Sequence, residues 1–175
     1  PAALMDRAQG RPARAALLPA AFVAAFSATA VLAAAAPRAA LADDVLEVTG
    51  AGGRVLALLP LDEGEEWCLR WNHSVTGGAV ADCFAHSGGR MVLRRSYLHD
   101  FAAGLGHIPG RGIQRADPAG GYWIEDIDEP LPPEGLLLRV GPARVDHRIE
   151  TPAGGLGLSA LAPGERVRLR LNRKD

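Results

Sequence analysis

Beyond residue 44 the hydrophobic pattern repeats at every second position. Arg166-Val167-Arg168-Leu169-Arg170-Leu171 alternates without a break, as a strand with one buried and one wet face requires. Val145, His147 and Ile149 alternate with Asp146, Arg148 and Glu150. Trp67, Leu69 and Trp71 alternate with Cys68 and Arg70. Each run is short and is bounded by chain-turning residues such as Gly77-Gly78, Gly88-Gly89, Pro132-Pro133 and Pro163-Gly164. Such punctuation marks strand ends. No stretch after Asp43 offers three helical turns free of Gly and Pro.

The pattern predicts strands at 45–49, 54–59, 66–71, 79–85, 90–97, 121–125, 135–140, 144–150, 156–160 and 166–172. About ten short strands with short connections make an all-β fold, an antiparallel β-sandwich or a partly open barrel. One piece, Leu98 to Gly120, shows no period and reads as a long Gly-rich loop, the kind that often carries function.

The first 42 residues follow another rule. Arg7, Arg11 and Arg14 precede an Ala-rich apolar run from Ala15 to Ala36, and Leu41-Ala42 then meets Asp43-Asp44. A positive flank, an apolar helix and a small-residue exit predict an export signal cleaved after Ala42. The alternative is a retained anchor, because the run is of spanning length, about 20 residues. The domain organisation is therefore a signal peptide or N-terminal membrane anchor at 1–42 and a single all-β domain at 43–175. That domain is expected to be periplasmic or secreted, or else membrane-anchored and facing the periplasm.

Charge narrows the partners. The chain holds 19 Lys+Arg and 20 Asp+Glu, of which four arginines and Asp6 lie before residue 43. The remainder is 15 basic against 19 acidic, a net charge of −4. No excess of cations is left to neutralise phosphates, which argues against nucleic acid. Cys68 and Cys83 are the only cysteines. In an exported chain such a pair reads as a disulfide, and the hairpin centred near Ser74–Thr76 would bring the two opposite or nearly opposite each other.

Five constellations could carry chemistry. His73-Ser74 invites a hydrolase reading, but neighbours on an extended chain point to opposite sides, and a turn held by their side chains is the plainer reading. His99 and Asp100 with His107 could clasp zinc if the loop folds back towards His73 or His147; no pair has the close spacing of a ready ligand set, and no cofactor is expected. The acidic run Glu125-Asp126-Ile127-Asp128-Glu129 lacks the Gly and ligand spacing of a calcium loop and reads as solvated. The glycine-rich 104–112 segment could offer Arg111 and backbone N–H groups to an anion. An exposed Trp123 beside acidic residues would suggest a contact surface.

Three runs together resemble a known family. They are Trp71-Asn72-His73-Ser74-Val75, then Ser96-Tyr97 leading to Phe101-Ala102-Ala103-Gly104-Leu105, then Leu138-Arg139-Val140-Gly141 followed by Asp146-His147. Their order and spacing resemble the domain of unknown function 1850 family, with Ala102 departing from the family's usual glycine. The resemblance implies a small exported protein of unassigned activity, often encoded beside TAXI-type TRAP transporters, and supplies no catalytic residues. The expected role is an accessory or binding module for such a solute-uptake system, in contact with its solute-binding protein or permease. The ligand or partner contact candidates are His73, Ser74, His99, His107 and Arg111. The alternative is a small periplasmic hydrolase or metal-binding enzyme using His73, His99 and His107.

Overall fold

The computed structural model describes residues 44–100 and 109–173. The expected signal or anchor segment, the departing Ala102 and the candidate His107 lie outside the described residues. The described chain is all-β, in two antiparallel sheets that are not closed into a barrel.

The strands are β1 (Asp44–Thr49), β2 (Val55–Pro60), β3 (Glu66–Asn72), β4 (Ala79–Ser87), β5 (Arg90–Leu98), β6 (Ile113–Ala116), β7 (Tyr122–Glu125), β8 (Glu129–Pro130), β9 (Leu136–Arg139), β10 (Arg148–Thr151), β11 (Gly154–Gly157) and β12 (Arg166–Arg173). The first sheet runs β2-β1-β12-β9, and the second runs β11-β10-β3-β4-β5-β7-β6 with β8 also on β5. Alternation along the strands fills the space between them. Leu46, Val48, Val167 and Leu169 come from the first sheet; Trp67, Leu69, Phe84 and Ile149 come from the second. Trp67 is wholly buried and stacks on Phe84 with ring centroids 4.7 Å apart. Each such side chain contributes about 1.5–3 kcal/mol on burial. The face-to-face core makes the fold a sandwich.

Cys68 lies directly opposite Cys83 in the β3–β4 ladder, and the two form a disulfide with Cα atoms 4.1 Å apart. The bond sits on the face of the second sheet opposite Trp67 and Leu69, as period two requires.

Four expectations are corrected. The Leu98–Gly120 piece is not wholly irregular, because Ile113–Ala116 pairs with β7. All four residues of that strand are exposed, so an edge strand leaves no period-two signature in the sequence. Gly112 serves this pairing: at φ +68 a Cβ there would lie 2.4 Å from the Glu125 carbonyl oxygen. The acidic run is not only a loop. Glu129-Pro130 pairs with β5 at Val92 and Leu93, while Asp126 and Asp128 adopt positive φ to step past the bulge in β5, a conformation Asp tolerates.

The strand expected at 144–150 begins only at Arg148, because residues 142–146 form a turn closed by Val145 N–H to the Pro142 carbonyl at 2.8 Å. The strand expected at 156–160 stops at Gly157 and becomes the single helical turn α1 (Leu158–Leu161). That turn buries Leu158 completely and aims Ser159 at the 141–147 turn, where its hydroxyl accepts the His147 N–H and donates to the Gly141 carbonyl.

Candidate functional site

The end of β3 and the end of β9 belong to different sheets, and a cleft of about 450 Å³ opens where the two meet. Three chain segments build it. Trp71, His73 and Ser74 come from β3 and its following turn; Arg139 to Val145 and His147 come from β9 and the turn after it; Gly164 closes the third side.

Local chemistry explains why these segments hold still. Asn72 ties the first two together: its backbone N–H donates to the Val145 carbonyl at 2.7 Å and its side-chain amide donates to the Arg144 carbonyl at 3.3 Å. Gly141 is required by packing, since a Cβ there would lie 2.7 Å from the Val145 Cβ. His73 holds its own turn. Its Nδ1 accepts the Thr76 N–H at 3.2 Å, its backbone N–H donates to the Gly78 carbonyl and its carbonyl accepts the Gly77 N–H. The structural-turn role expected for His73 is therefore present, and Nδ1 is engaged by Thr76 rather than by Ser74. Ser74 is exposed at the cleft rim.

His147 is the buried polar group of the cleft, 8 % exposed. Its Nδ1 accepts the Gly141 N–H at 2.9 Å. A backbone N–H can only donate, so the ring is the neutral tautomer with its proton on Nε2. Burial pulls the His147 pKa below its ordinary value, against the opposing pull of the Asp146 carboxylate. The Trp71 ring lies 6.0 Å from the imidazole, tilted by 31°.

The arginines divide into two groups. Arg54, Arg70, Arg94, Arg95, Arg111, Arg115, Arg148 and Arg170 each reach a carboxylate. Among the described residues, Arg139 and Arg144 in the cleft reach none, nor do Arg90, Arg166, Arg168 and Arg173 on other strands. Arg166 stands directly opposite Arg139 in the β9–β12 ladder, and the two share a further small hollow with Leu137 and Leu138.

The other candidates are placed elsewhere. Arg111 bonds Glu129 through Nε and Nη2 at 3.1 and 3.0 Å. His99 donates its backbone N–H to the Ala79 carbonyl, and its Cβ lies beside Gly78 at the base of the His73 turn. Trp123 is partly buried under the Arg95 guanidinium, with its indole N–H on Asp117 at 2.9 Å. Among the described residues the one tight grouping of metal-type side chains is Glu66, Cys68 and Cys83, and its sulfurs are tied in the disulfide. Sequence reasoning did not single out Trp71, Arg139, Arg144 and His147 as one site. The signal was present, because all four lie in or beside the two outer motif runs, but their convergence depends on how the two sheets meet.

Fold and cleft together define a small disulfide-linked β-sandwich with a cationic cleft at one end. The chain belongs to the family described as Domain of unknown function (DUF1850), whose model matches residues 68–155. That span takes in both cysteines and every cleft residue named above except Gly164. No curated protein and no solved structure matches the chain.

Proposed function

We propose that the domain works outside the cytoplasm as a non-enzymatic binding module, accessory to a TAXI-type TRAP solute-uptake system. One observation carries the binding role. Two sequence runs some 65 residues apart, Trp71–Ser74 and Arg139–His147, meet in a single cleft and are hydrogen-bonded to each other there through Asn72. The arrangement supplies concavity, an apolar wall and a few convergent polar groups, the usual make-up of a binding site. The Cys68–Cys83 disulfide supports work in an oxidising compartment. The Nδ1 atoms of His73 and His147 both take backbone donors, which fits rings that hold the cleft's turns in place. The TAXI association rests on the family resemblance.

Co-purification from the cell envelope tests this reading. The full-length chain should retain the neighbouring solute-binding protein or permease, and Arg144→Glu should reduce recovery while Arg111→Ala leaves it intact. Equal recovery with all three chains would remove the cleft from the contact. Preferential loss with Arg111→Ala would move the contact to the 98–120 segment.

A further inference from the structure

We propose that the cleft binds a small organic dicarboxylate, gripped by the guanidinium groups of Arg139 and Arg144. The inference deepens the binding-module reading and rests on it for the cleft's role. It starts from an imbalance of charge. Eight described arginines answer to a nearby carboxylate, whereas Arg139 and Arg144 both line one concave site with none among the described residues. Arg139 also faces Arg166 directly across the ladder. Like charges at directly opposed positions are unfavourable, so an anion seated beside Arg139 relieves a repulsion built into the strand pairing.

The donor set favours a ligand with two separated carboxylates over a single phosphate. Phosphate sites on loops are commonly made from backbone N–H groups. Here three of those groups are engaged internally: Gly141 N–H bonds His147 Nδ1, Gly164 N–H bonds the Val140 carbonyl at 3.0 Å, and Val145 N–H bonds the Pro142 carbonyl. The cationic donors of the cleft are side chains. Guanidinium forks match the two oxygens of a carboxylate, and the neutral His147 keeps Nε2–H as its one remaining ring donor. Arg139 ends β9 and Arg144 sits in the turn that follows it, and two cationic groups at separate positions call for a ligand with an anion at each end. The Trp71 ring supplies the apolar surface for its carbon chain.

Titration calorimetry on the full-length chain, at low and at physiological salt, tests the proposal. The probes are succinate, its neutral diamide, acetate and inorganic phosphate. Succinate is expected to bind, the diamide not to bind, and acetate to bind at least tenfold more weakly than succinate. Arg139→Gln and Arg144→Gln should each weaken succinate at least tenfold, with Arg148→Gln as an unaffected control because that guanidinium pairs with Asp146 and Glu150 instead. Circular dichroism of each variant confirms folding. Phosphate binding without succinate binding, or succinate affinity unchanged in both arginine variants, would overturn the proposal. Absence of succinate binding alongside partner capture that still depends on Arg144 would overturn the ligand class and leave the binding-module reading intact.

Discussion

The Gly141 N–H donates to His147 Nδ1 at 2.9 Å, so a backbone donor fixes the protonation state of the most buried ring in the cleft. Adding a proton to Nδ1 would set two donors against each other. Burial opposes the charged ring as well, and the His147 pKa is depressed from its ordinary 6.5. Below pH 6.5 the unfolded chain takes up a proton that the folded chain resists, so the unfolded state binds more protons and folding stability falls as pH drops. Above pH 6.5 this contribution is complete. His147→Asn offers an oxygen to Gly141 that does not titrate. Urea unfolding at pH steps from 8 to 5 should show a shallower decline for this variant than for the wild type; parallel curves would count against the assignment.

Gly141 is a packing requirement of the same turn. A Cβ at this position would lie 2.7–2.9 Å from three Val145 side-chain atoms. Val145 is itself buried and cannot swing away, so the backbone of the turn must shift. Gly141→Ala should cost about 1–3 kcal/mol, as overpacking typically does. It should also disturb the Gly141–His147 bond, so its pH dependence should move towards that of a chain lacking the His147 contact. A urea midpoint equal to the wild type would show that the turn relaxes freely.

The disulfide is a cross-strand staple rather than part of the cleft. Its residues are 15 apart and close the β3–β4 hairpin. A loop of that size is stabilised by about 3 kcal/mol in the chain-entropy model. The Cys68→Ala/Cys83→Ala chain should lose stability of that order, and reductant should shift the wild type by a similar amount while leaving the double variant unchanged. Urea titration with and without reductant measures both. Insensitivity of the wild type to complete reduction would show that the hairpin is held by its ladder alone.

Much of this architecture was legible because burial alternates wherever a strand lies in the core. β12 reads from Val167 and Leu169 against Arg166 and Arg168, and β3 from Trp67 and Leu69 against Cys68 and Arg70. The hairpin centre near Ser74–Thr76 put Cys68 opposite or nearly opposite Cys83, and the ladder pairs them directly. What could not be read obeys other constraints. The β6 strand has no buried residue to mark it, and β8 is two residues fixed by a bulge in β5. α1 forms where Leu158 must enter the core and Ser159 must reach Gly141 and His147, a tertiary demand that a local window cannot contain. The cleft was half legible. His73 and Ser74 were visible as a motif, whereas Arg139 and Arg144 gain meaning only when β9 and β3 end side by side and no carboxylate among the described residues meets them.

Asp82 occupies the inward face of β4, opposite Leu69 and Ser96, where an apolar residue would be expected from the alternation. Its carboxylate accepts the Ser96 hydroxyl at 2.6 Å. Desolvation nevertheless dominates: burial raises the Asp82 pKa, against the opposing effects of Ser96 and the Arg111 charge. A carboxyl whose folded pKa is raised favours the folded state most when protonated, and that contribution is lost as pH climbs through the folded value. At neutral pH the ionised group therefore works against folding. Asp82→Asn keeps an oxygen for Ser96 and removes the charge. Its melting temperature should exceed the wild type's at pH 7–8, and the gain should shrink towards zero as pH falls through 3.8, where the unfolded carboxyl also takes up its proton. Scanning calorimetry at pH 7.5 and at pH 3.5 decides it. A lower melting temperature for Asp82→Asn at pH 7.5 would mean that the ionised carboxylate is stabilised by its neighbours more than burial disfavours it.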